Sequence, residues 1–470
     1  MIPTLSALLL PLVPLLPGAP GVPAPRVPGP TVAPAPAPAP SAVAEVPEGQ
    51  VCGLGKAFHA GRRAALREAV GEGWLVFRGL HQTRDYLPFR QDKVFWYLTG
   101  VSSERAALVM HVETGREVLF LPAANPRLEV WEGEKWDVED AWIPGLTGID
   151  EVRDEDDLAD FLGEVLAEGD TVWTSLAAHV ELAGCYDRAE PYDRRAERDP
   201  LDGRVSREKA LKAALEARYG VRVRDCQDQL EELRRVKTPE EIAAIARATD
   251  AGVAAMRAAM ADTAPGKTEA ELAALMSYTH LLEGATGPAY APIVGAGPNA
   301  SVLHYLDLTR TLRAEDILLI DYAPEEDHYI SDITRTWPVD GTFSERQAEI
   351  YDVVLEAQLA GIAAVRPGAT LDDVQRACNE VIARHDMQRY VLHGVCHYVG
   401  MEVHDVGVYR RPLEPGVAFT IEPGLYDTEA QVGVRIEDVV VVTEDGCEVL
   451  SAGVPKERAE VEALVGISAR

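Results

Sequence analysis

The chain has 470 residues, long enough for two or three domains. Hydrophobic residues make up 47% and charged ones 26%, the balance of a globular chain with a sizeable core, which excludes a wholly disordered, collagen-like or coiled-coil protein. A net charge of −31 argues against general affinity for nucleic acid or anionic membranes. The six cysteines (Cys52, Cys185, Cys226, Cys378, Cys396 and Cys447) are scattered and form no CxxC pair, so they suggest neither a disulfide framework nor a zinc ribbon.

Thirteen of the 32 prolines fall in the first 44 residues, and the first charged side chain is Arg26. Leu5 to Leu16 resembles the apolar core of an export signal, and Ala42-Val43-Ala44 offers a small-residue cleavage site. No Lys or Arg precedes that run, however, and Pro11 and Pro14 interrupt it. Two readings stand. A signal peptide would make the protein exported, periplasmic or secreted, whereas a disordered Ala-Pro leader would leave it cytoplasmic. The run is shorter than the ~20 residues a transmembrane helix needs, so no membrane span is expected. Ala33 to Pro40 reads as an extended, semi-rigid spacer.

From Phe58 the pattern becomes that of a folded domain. Residues 58–70 predict an amphipathic helix. Trp74–Phe77, Val94–Leu98, Ala106–Val112 and Val118–Leu121 are apolar runs of strand length, and 157–167 reads as a helix. Strands alternating with helices suggest a compact α/β domain. The polar stretch 187–204, with Pro191, Pro200 and Gly203, reads as loop or linker.

A second domain begins near Leu230. Thr238-Pro239-Glu240-Glu241 has the form of a capping box with proline at the first helical position. Ile242, Ile245, Thr249, Val253, Met256 and Met260 then recur every three or four residues, as one core-facing stripe of a helix does. Further helices fit 268–283, 344–364 and, capped by Thr370, 371–384. Strands fit 316–321, 329–337, 417–422 and 432–443.

The chemistry concentrates in the second half. Asp321 ends one apolar strand and Asp332 lies in the next. A hairpin centred near Glu326-Asp327 sets the two directly opposite on one face. Like charges ~5 Å apart destabilise a sheet unless a multivalent cation lies between them or one is protonated. Downstream, His393, His397 and His404 fall within twelve positions of a chain with eleven histidines. Glu422 and Glu437 then sit in apolar strands, where an unpaired carboxylate is expensive. Taken singly, Glu437 has a plain reading as a salt bridge to Arg435, and Glu422 as a turn residue before Pro423-Gly424. Together, two Asp, one His and two Glu carry too much negative charge for one ion and suit two divalent ions sharing carboxylates. Such sites activate a water and polarise a carbonyl or phosphoryl oxygen. Four carboxylates and one imidazole favour a hard ion such as Mn over a thiolate-type zinc site. The residues by themselves therefore indicate metal-assisted hydrolysis.

These residues resemble the aminopeptidase P and prolidase group of metallopeptidases. So do FRQDKVFWYLTG (Phe89–Gly100), EVWEGEK (Glu129–Lys135) and LRRVKTPEEI (Leu233–Ile242). The resemblance implies an α+β protein: a pita-bread catalytic domain (227–470) preceded by a smaller α/β N-terminal domain of creatinase/aminopeptidase P type (57–226), with 1–56 as leader. It implies metal ligands Asp321, Asp332, His397, Glu422 and Glu437 holding two divalent ions, Mn2+ first among them. Glu422 would also manage the proton of the attacking water, while His304, His393 and His404 orient substrate and stabilise the tetrahedral intermediate. Arg435 matches an arginine beside the ligands. Trp96 matches an aromatic that reaches a neighbouring subunit's site, and core packing is the plainer reading for it. The implied partners are short proline-containing peptides and further copies of the chain, as dimer or tetramer.

The implied activity is hydrolysis of the N-terminal Xaa-Pro bond, with the Xaa-Pro dipeptidase activity of prolidase as the alternative. A metal-free creatinase-like enzyme or a catalytically dead binding module both predict lost ligands, and none is lost. Three departures bear on the pocket. Ala323, followed by Pro324, replaces a common glycine, and the stretches before His393 and between Glu422 and Glu437 are short. Cys396 beside a ligand suggests a thiol open to oxidation. Pro265-Gly266-Lys267-Thr268 lacks the upstream glycine and strand of a phosphate loop, Gly295-Ala296-Gly297 reads as a turn, and no basic-aromatic stripe suggests nucleic acid.

Overall fold

The computed structural model describes residues 46–469, apart from 84, 85, 181, 183 and 185. The signal-like run and the cleavage motif lie outside the described residues. Among the described residues, no helix is long and apolar enough to cross a membrane.

The N-terminal half is built on a six-stranded sheet of β1 (Trp74–Arg78), β2 (Ala107–His111), β3 (Glu117–Leu121), β4 (Glu151–Asp154), β5 (Thr171–Thr174) and β6 (Arg222–Asp225). The order across the sheet is β4-β3-β2-β1-β5-β6. Alternation along the strands divides the core. Leu75, Phe77, Leu108 and Met110 pack with Phe58 and Leu66 of the helix Lys56–Val70. Trp74, Val76, Ala107 and Val109 pack with Leu158, Phe161 and Leu162 of the helix Leu158–Val165. Helices thus cover both faces, which is the α/β layering expected.

Two local expectations fail here. The run 94–98 belongs to a helix, Lys93–Thr99, and is not a strand. Asp92 caps it by accepting from Phe95 N at 2.9 Å, and Gly100 ends it in the left-handed conformation. Phe95, Trp96, Tyr97 and Leu98 are all buried, so the run shows no polar face and periodicity could not separate helix from strand. Most of the stretch read as loop, 187–204, lies in the helix Tyr186–Arg198. Its side chains are largely solvated, so it has no apolar stripe. An Arg194–Glu190 pair one turn apart supports it, with Pro191 inside.

In the second half, Thr238 caps the helix Pro239–Asp262 through the full capping box. Ile245, Thr249, Met256 and Met260 are buried along it, with Ile242 and Val253 partly so. The helices Glu269–Leu282, Glu345–Ala364 and Leu371–Arg384 also form where the sequence predicts them. The strands are β7 (Gly287–Pro288), β8 (Ile293–Ala296), β9 (Ile317–Tyr322), β10 (Pro324–Glu326), β11 (Tyr329–Ile330), β12 (Ile333–Pro338), β13 (Ala418–Ile421), β14 (Gly424–Asp427), β15 (Val432–Arg435), β16 (Asp438–Val442) and β17 (Cys447–Val449). They form small sheets β12-β9-β8, β11-β10-β7, β13-β16-β17 and β14-β15. One apolar cluster takes Phe95, Leu119 and Val101 from the first half and Ala244, Ile245 and Val439 from the second, so the two halves share a core.

The hairpin turn centres one residue later than the sequence expectation, which shifts the strand pairing by two residues. Asp321 pairs with Thr334, and Glu326 with Tyr329, so the turn centres on Asp327-His328. Both turn residues have positive φ (50° and 62°), as a two-residue type I′ turn requires. The two-residue offset preserves the face, since side chains repeat every second position. Asp321 and Asp332 are therefore diagonal neighbours on one face, not a directly opposed pair.

Candidate metal centre

Five chain segments carry the ligands expected from the sequence to one place. β9 brings Asp321, and the residue entering β12 is Asp332. The segment holding His397 lies antiparallel to β13, with Thr420 N donating to His397 O and Glu422 N to Val395 O, both at 2.8 Å. That pairing sets His397 beside Glu422 at the end of β13. Glu437 sits between β15 and β16, and its N–H donates to Thr334 O at 3.0 Å, which ties it to the Asp332 strand.

Ligand atoms of Asp332, His397 and Glu437 all lie within 4.8 Å of one another. His397 Nε2 is 3.6 Å from Asp332 Oδ2, 3.6 Å from Glu422 Oε1 and 3.9 Å from Glu437 Oε1. Two donors each ~2.1 Å from one ion stand roughly 3–4.2 Å apart, so the set fits a divalent cation. Asp321 joins through Tyr290, whose hydroxyl hydrogen-bonds to Asp321 Oδ1 and lies 2.6 Å from Asp332 Oδ1. The imidazole is oriented for ligation. Its Nδ1 lies 3.0 Å from Tyr398 O, a bond it makes by donating, which leaves the Nε2 lone pair facing the acids.

The electrostatics are those of a site that needs cations. Burial, then the charges of Glu437 and Asp321, pushes Asp332 well above the usual carboxylate range. Burial and Glu437 do the same to Glu422, and burial and Asp321 push Glu437 up to about 8. Burial, with His404 beside it, lowers His397 to about 3, so it is neutral. Exposure separates the five: the side chains of Glu437 and Asp332 are 2% and 5% exposed, while Glu422 keeps 17%. Asp321 is intermediate at 12%, and Glu422 is the most exposed of the four carboxylates.

The other expected residues surround this cluster. Arg435 Nη2 donates to Asp321 Oδ2 at 2.6 Å and its Nη1 to Tyr426 Oη at 2.9 Å. The plain salt-bridge reading of Arg435 with Glu437 is therefore not what forms. The Tyr426 hydroxyl donates in turn to His393 Nε2 at 2.7 Å, and His393 Nδ1 is 3.7 Å from Glu422 Oε2. Gly424 makes room for that contact: a Cβ there would lie 2.6 Å from Tyr426 Oη and 2.8 Å from His393 Nε2. The His404 ring lies against the His397 ring at 4.3 Å between centroids. His304 sits exposed on the rim, near enough for Asp321 and Arg435 to influence its charge.

Three participants escape a sequence reading: Tyr290, Tyr426 and Thr334. The Thr334 hydroxyl donates to Glu437 Oε2 at 2.6 Å and accepts from Arg435 Nε at 3.0 Å. Its position two residues beyond Asp332, on the same strand face, was the one available signal. Trp96 is 3% exposed and packed against His59 and His328, which favours the core-packing reading over the intersubunit one. One other expectation is corrected. Cys396 is buried and burial pushes its thiol well up, so it is shielded where an oxidation-sensitive thiol was expected.

A buried hard-donor cluster of this kind, carried on paired hairpins, is what a metal-dependent hydrolase requires. Residues 243–444 match the profile of metallopeptidase family M24, and residues 59–173 that of the aminopeptidase P N-terminal domain. The Xaa-Pro aminopeptidase of Escherichia coli K12 is 32% identical over 442 residues, covering 86% of this chain and 96% of that one. The structure of Pseudomonas aeruginosa aminopeptidase PepP superposes with a TM-score of 0.74 at 32% identity, over 88% of this chain and 98% of that chain. A glutamate-to-alanine variant of E. coli aminopeptidase P in complex with substrate gives 0.73 at 31%, with the same coverage. The chain belongs to the aminopeptidase P family, with its α/β N-terminal domain and pita-bread M24 catalytic domain.

Proposed function

We propose that this protein hydrolyses the bond between the N-terminal residue and a following proline in short peptides, as an Xaa-Pro aminopeptidase. The convergence of Asp332, His397 and Glu437 within 4.8 Å, in a chain that spans 96% of the E. coli Xaa-Pro aminopeptidase, carries this reading. Asp321, Asp332, His397, Glu422 and Glu437 would hold two divalent ions. The oxygen-rich donors favour Mn2+. Such a pair, when bound, lowers the pKa of water and polarises a peptide carbonyl.

The chain's own residues supply the rest. Glu422, the most exposed of the four carboxylates, accepts the proton of the attacking water and delivers it to the leaving proline nitrogen. In the metal-free protein burial, then Glu437, raises its proton affinity, and a carboxylate placed against the attacking water can serve both transfers. His393 lies beside Glu422, held by Tyr426 and thereby by Arg435, so its ring has one fixed orientation. Burial, then Arg435, lowers it to about 4, so it acts as a neutral hydrogen-bonding group. His404 and the rim residue His304 complete a wall of imidazoles that positions the substrate carbonyl and stabilises the charge developing on it. Arg435 offsets part of the acids' charge through Asp321. We also propose the domain division 57–226 and 227–470 and assembly as a dimer or tetramer.

The test is release of the N-terminal residue from an Xaa-Pro-Yaa tripeptide, run beside the matching Xaa-Pro dipeptide, with metal-stripped protein before and after Mn2+ addition. Tripeptide cleavage restored by Mn2+ is expected. Cleavage of the dipeptide alone makes the enzyme a prolidase, and cleavage of neither by protein carrying two ions rejects the assignment.

A further inference from the structure

A second buried ionic cluster lies outside the metal centre, where the segment joining the two halves passes behind the loop that carries His404. Arg234, in the helix Gln227–Arg235, and Lys237, two residues beyond it, both point at Asp405. Arg234 Nη2 donates to Asp405 Oδ1 at 2.5 Å and Lys237 Nζ to Asp405 Oδ2 at 2.9 Å. The three side chains are 4%, 1% and 1% exposed. Arg234 also reaches Glu402 at 3.3 Å.

Three buried charges are a poor way to gain stability alone, because desolvation offsets much of the attraction and apolar replacements are often as good. What this cluster does supply is position. Asp405 directly follows His404. Its N–H donates to Tyr398 O at 2.9 Å, and Gly400 O accepts from Ile330 N at 3.0 Å, so the loop 398–405 is closed on itself and tied to the Asp332 hairpin. Gly400 packs flat on the clamp. A Cβ there would run into the Asp405 carboxylate and lie 2.9 Å from Lys237 Cε. The loop's two ends are the His397 and His404 rings, in contact at 4.3 Å. The cations therefore fix, through one carboxylate, where the His404 ring stands relative to a metal ligand.

We propose that Arg234 and Lys237 are positioning residues for the hydrolytic reaction, acting through Asp405 to hold His404 in its working orientation. The proposal rests on the assignment of His404 to substrate contact made above. Both residues belong to the joining segment, which lies outside both family matches.

A double-mutant cycle tests it, with Lys237→Met and His404→Ala made singly and together in the full-length, Mn2+-loaded enzyme. For each, kcat and KM on an Xaa-Pro-Yaa tripeptide are measured with metal content. Lys237→Met is expected to lower kcat about tenfold, with KM changed less than about threefold and both ions retained, as a misplaced positioning group does. In the His404→Ala background the same change should cost less than about twofold, because its target is gone. Full additivity of the two losses, or a Lys237→Met enzyme with unchanged kcat, overturns the proposal. A His404→Ala enzyme with unchanged kinetics overturns it at its base, and the silence of that single variant tells this failure from the others. If Lys237→Met does not fold, Arg234→Lys, which keeps the charge and loses the fork, carries the same cycle.

Discussion

Arg435 Nη2 donates to Asp321 Oδ2 at 2.6 Å, so a buried guanidinium abuts the cluster of carboxylates at the candidate metal centre. The second arm of Arg435 goes to Tyr426, away from the acids, and one cation cannot balance Asp321, Asp332, Glu422 and Glu437. Without metal, protons must supply the remaining positive charge. Burial first, and then the repulsion among the acids, raises the proton affinities of Asp332, Glu422 and Glu437.

Metal binding should therefore release protons. Glu437, pushed up to about 8, is largely protonated at neutral pH in metal-free protein and must ionise to ligate. Calorimetric titration with Mn2+ in two buffers of different ionisation enthalpy should show net proton release near pH 6.5, diminishing above about pH 8. The sign for stability follows: an acid raised from ~4.3 in the unfolded chain contributes fully below that value, and its contribution falls as pH rises toward about 8. The melting temperature of chelated protein should decline across that window, and more steeply than that of loaded protein. Equal slopes would remove the acid cluster as the cause.

Glu422→Ala should abolish most turnover and leave the fold standing, since it removes a ligand and the proton carrier together. A loss in kcat of about a thousandfold is expected, in the range of general acid–base contributions. The assay is single-turnover cleavage of an Xaa-Pro-Yaa peptide with metal content quantified in the same sample. Activity within tenfold of wild type at full metal loading would contradict the role.

Asp332→Asn acts elsewhere. Asp332 is at the centre of the ligand cluster, 3.6 Å from His397 and bonded to Tyr290, so the change should show first in metal affinity. Competition with a chelator of known affinity is expected to report at least about tenfold weaker binding, the scale seen when a metal site's immediate support is lost. An unchanged competition curve would exclude Asp332 as a ligand.

Arg335→Met should be strongly destabilising with little change in the substrate groups themselves. Arg335 is fully buried on β12, donates to Glu437 O and to Asp438 Oδ1 at 2.6 Å, and shares Asp438 with Lys456 and Ser451. Removing one partner of a buried pair costs about 3–5 kcal/mol. Urea denaturation at fixed metal concentration measures it, and a cost below about 1 kcal/mol would mean that Lys456 suffices for Asp438.

The amino-acid sequence alone singled out Asp321, Asp332, His397, Glu422 and Glu437 as candidate ligands, and it marked most of the helices of the catalytic half. Their signals are local: a carboxylate in an apolar strand is costly wherever the strand goes, and Thr238, Ser344 and Thr370 announce helix starts within four residues. The helix Lys93–Thr99 was not legible, because a run buried on every side carries no period, and Trp96 within it could not be told from a surface aromatic. Nor was the step in register that pairs Asp321 with Thr334, which depends on a turn at Asp327-His328. Only the tertiary structure brought Tyr290 to Asp321 and Asp332, Tyr426 to Arg435 and His393, and Arg234 and Lys237 to Asp405. Those contacts join residues 9 to 171 positions apart, and no short-range pattern records a hydrogen bond made across the core.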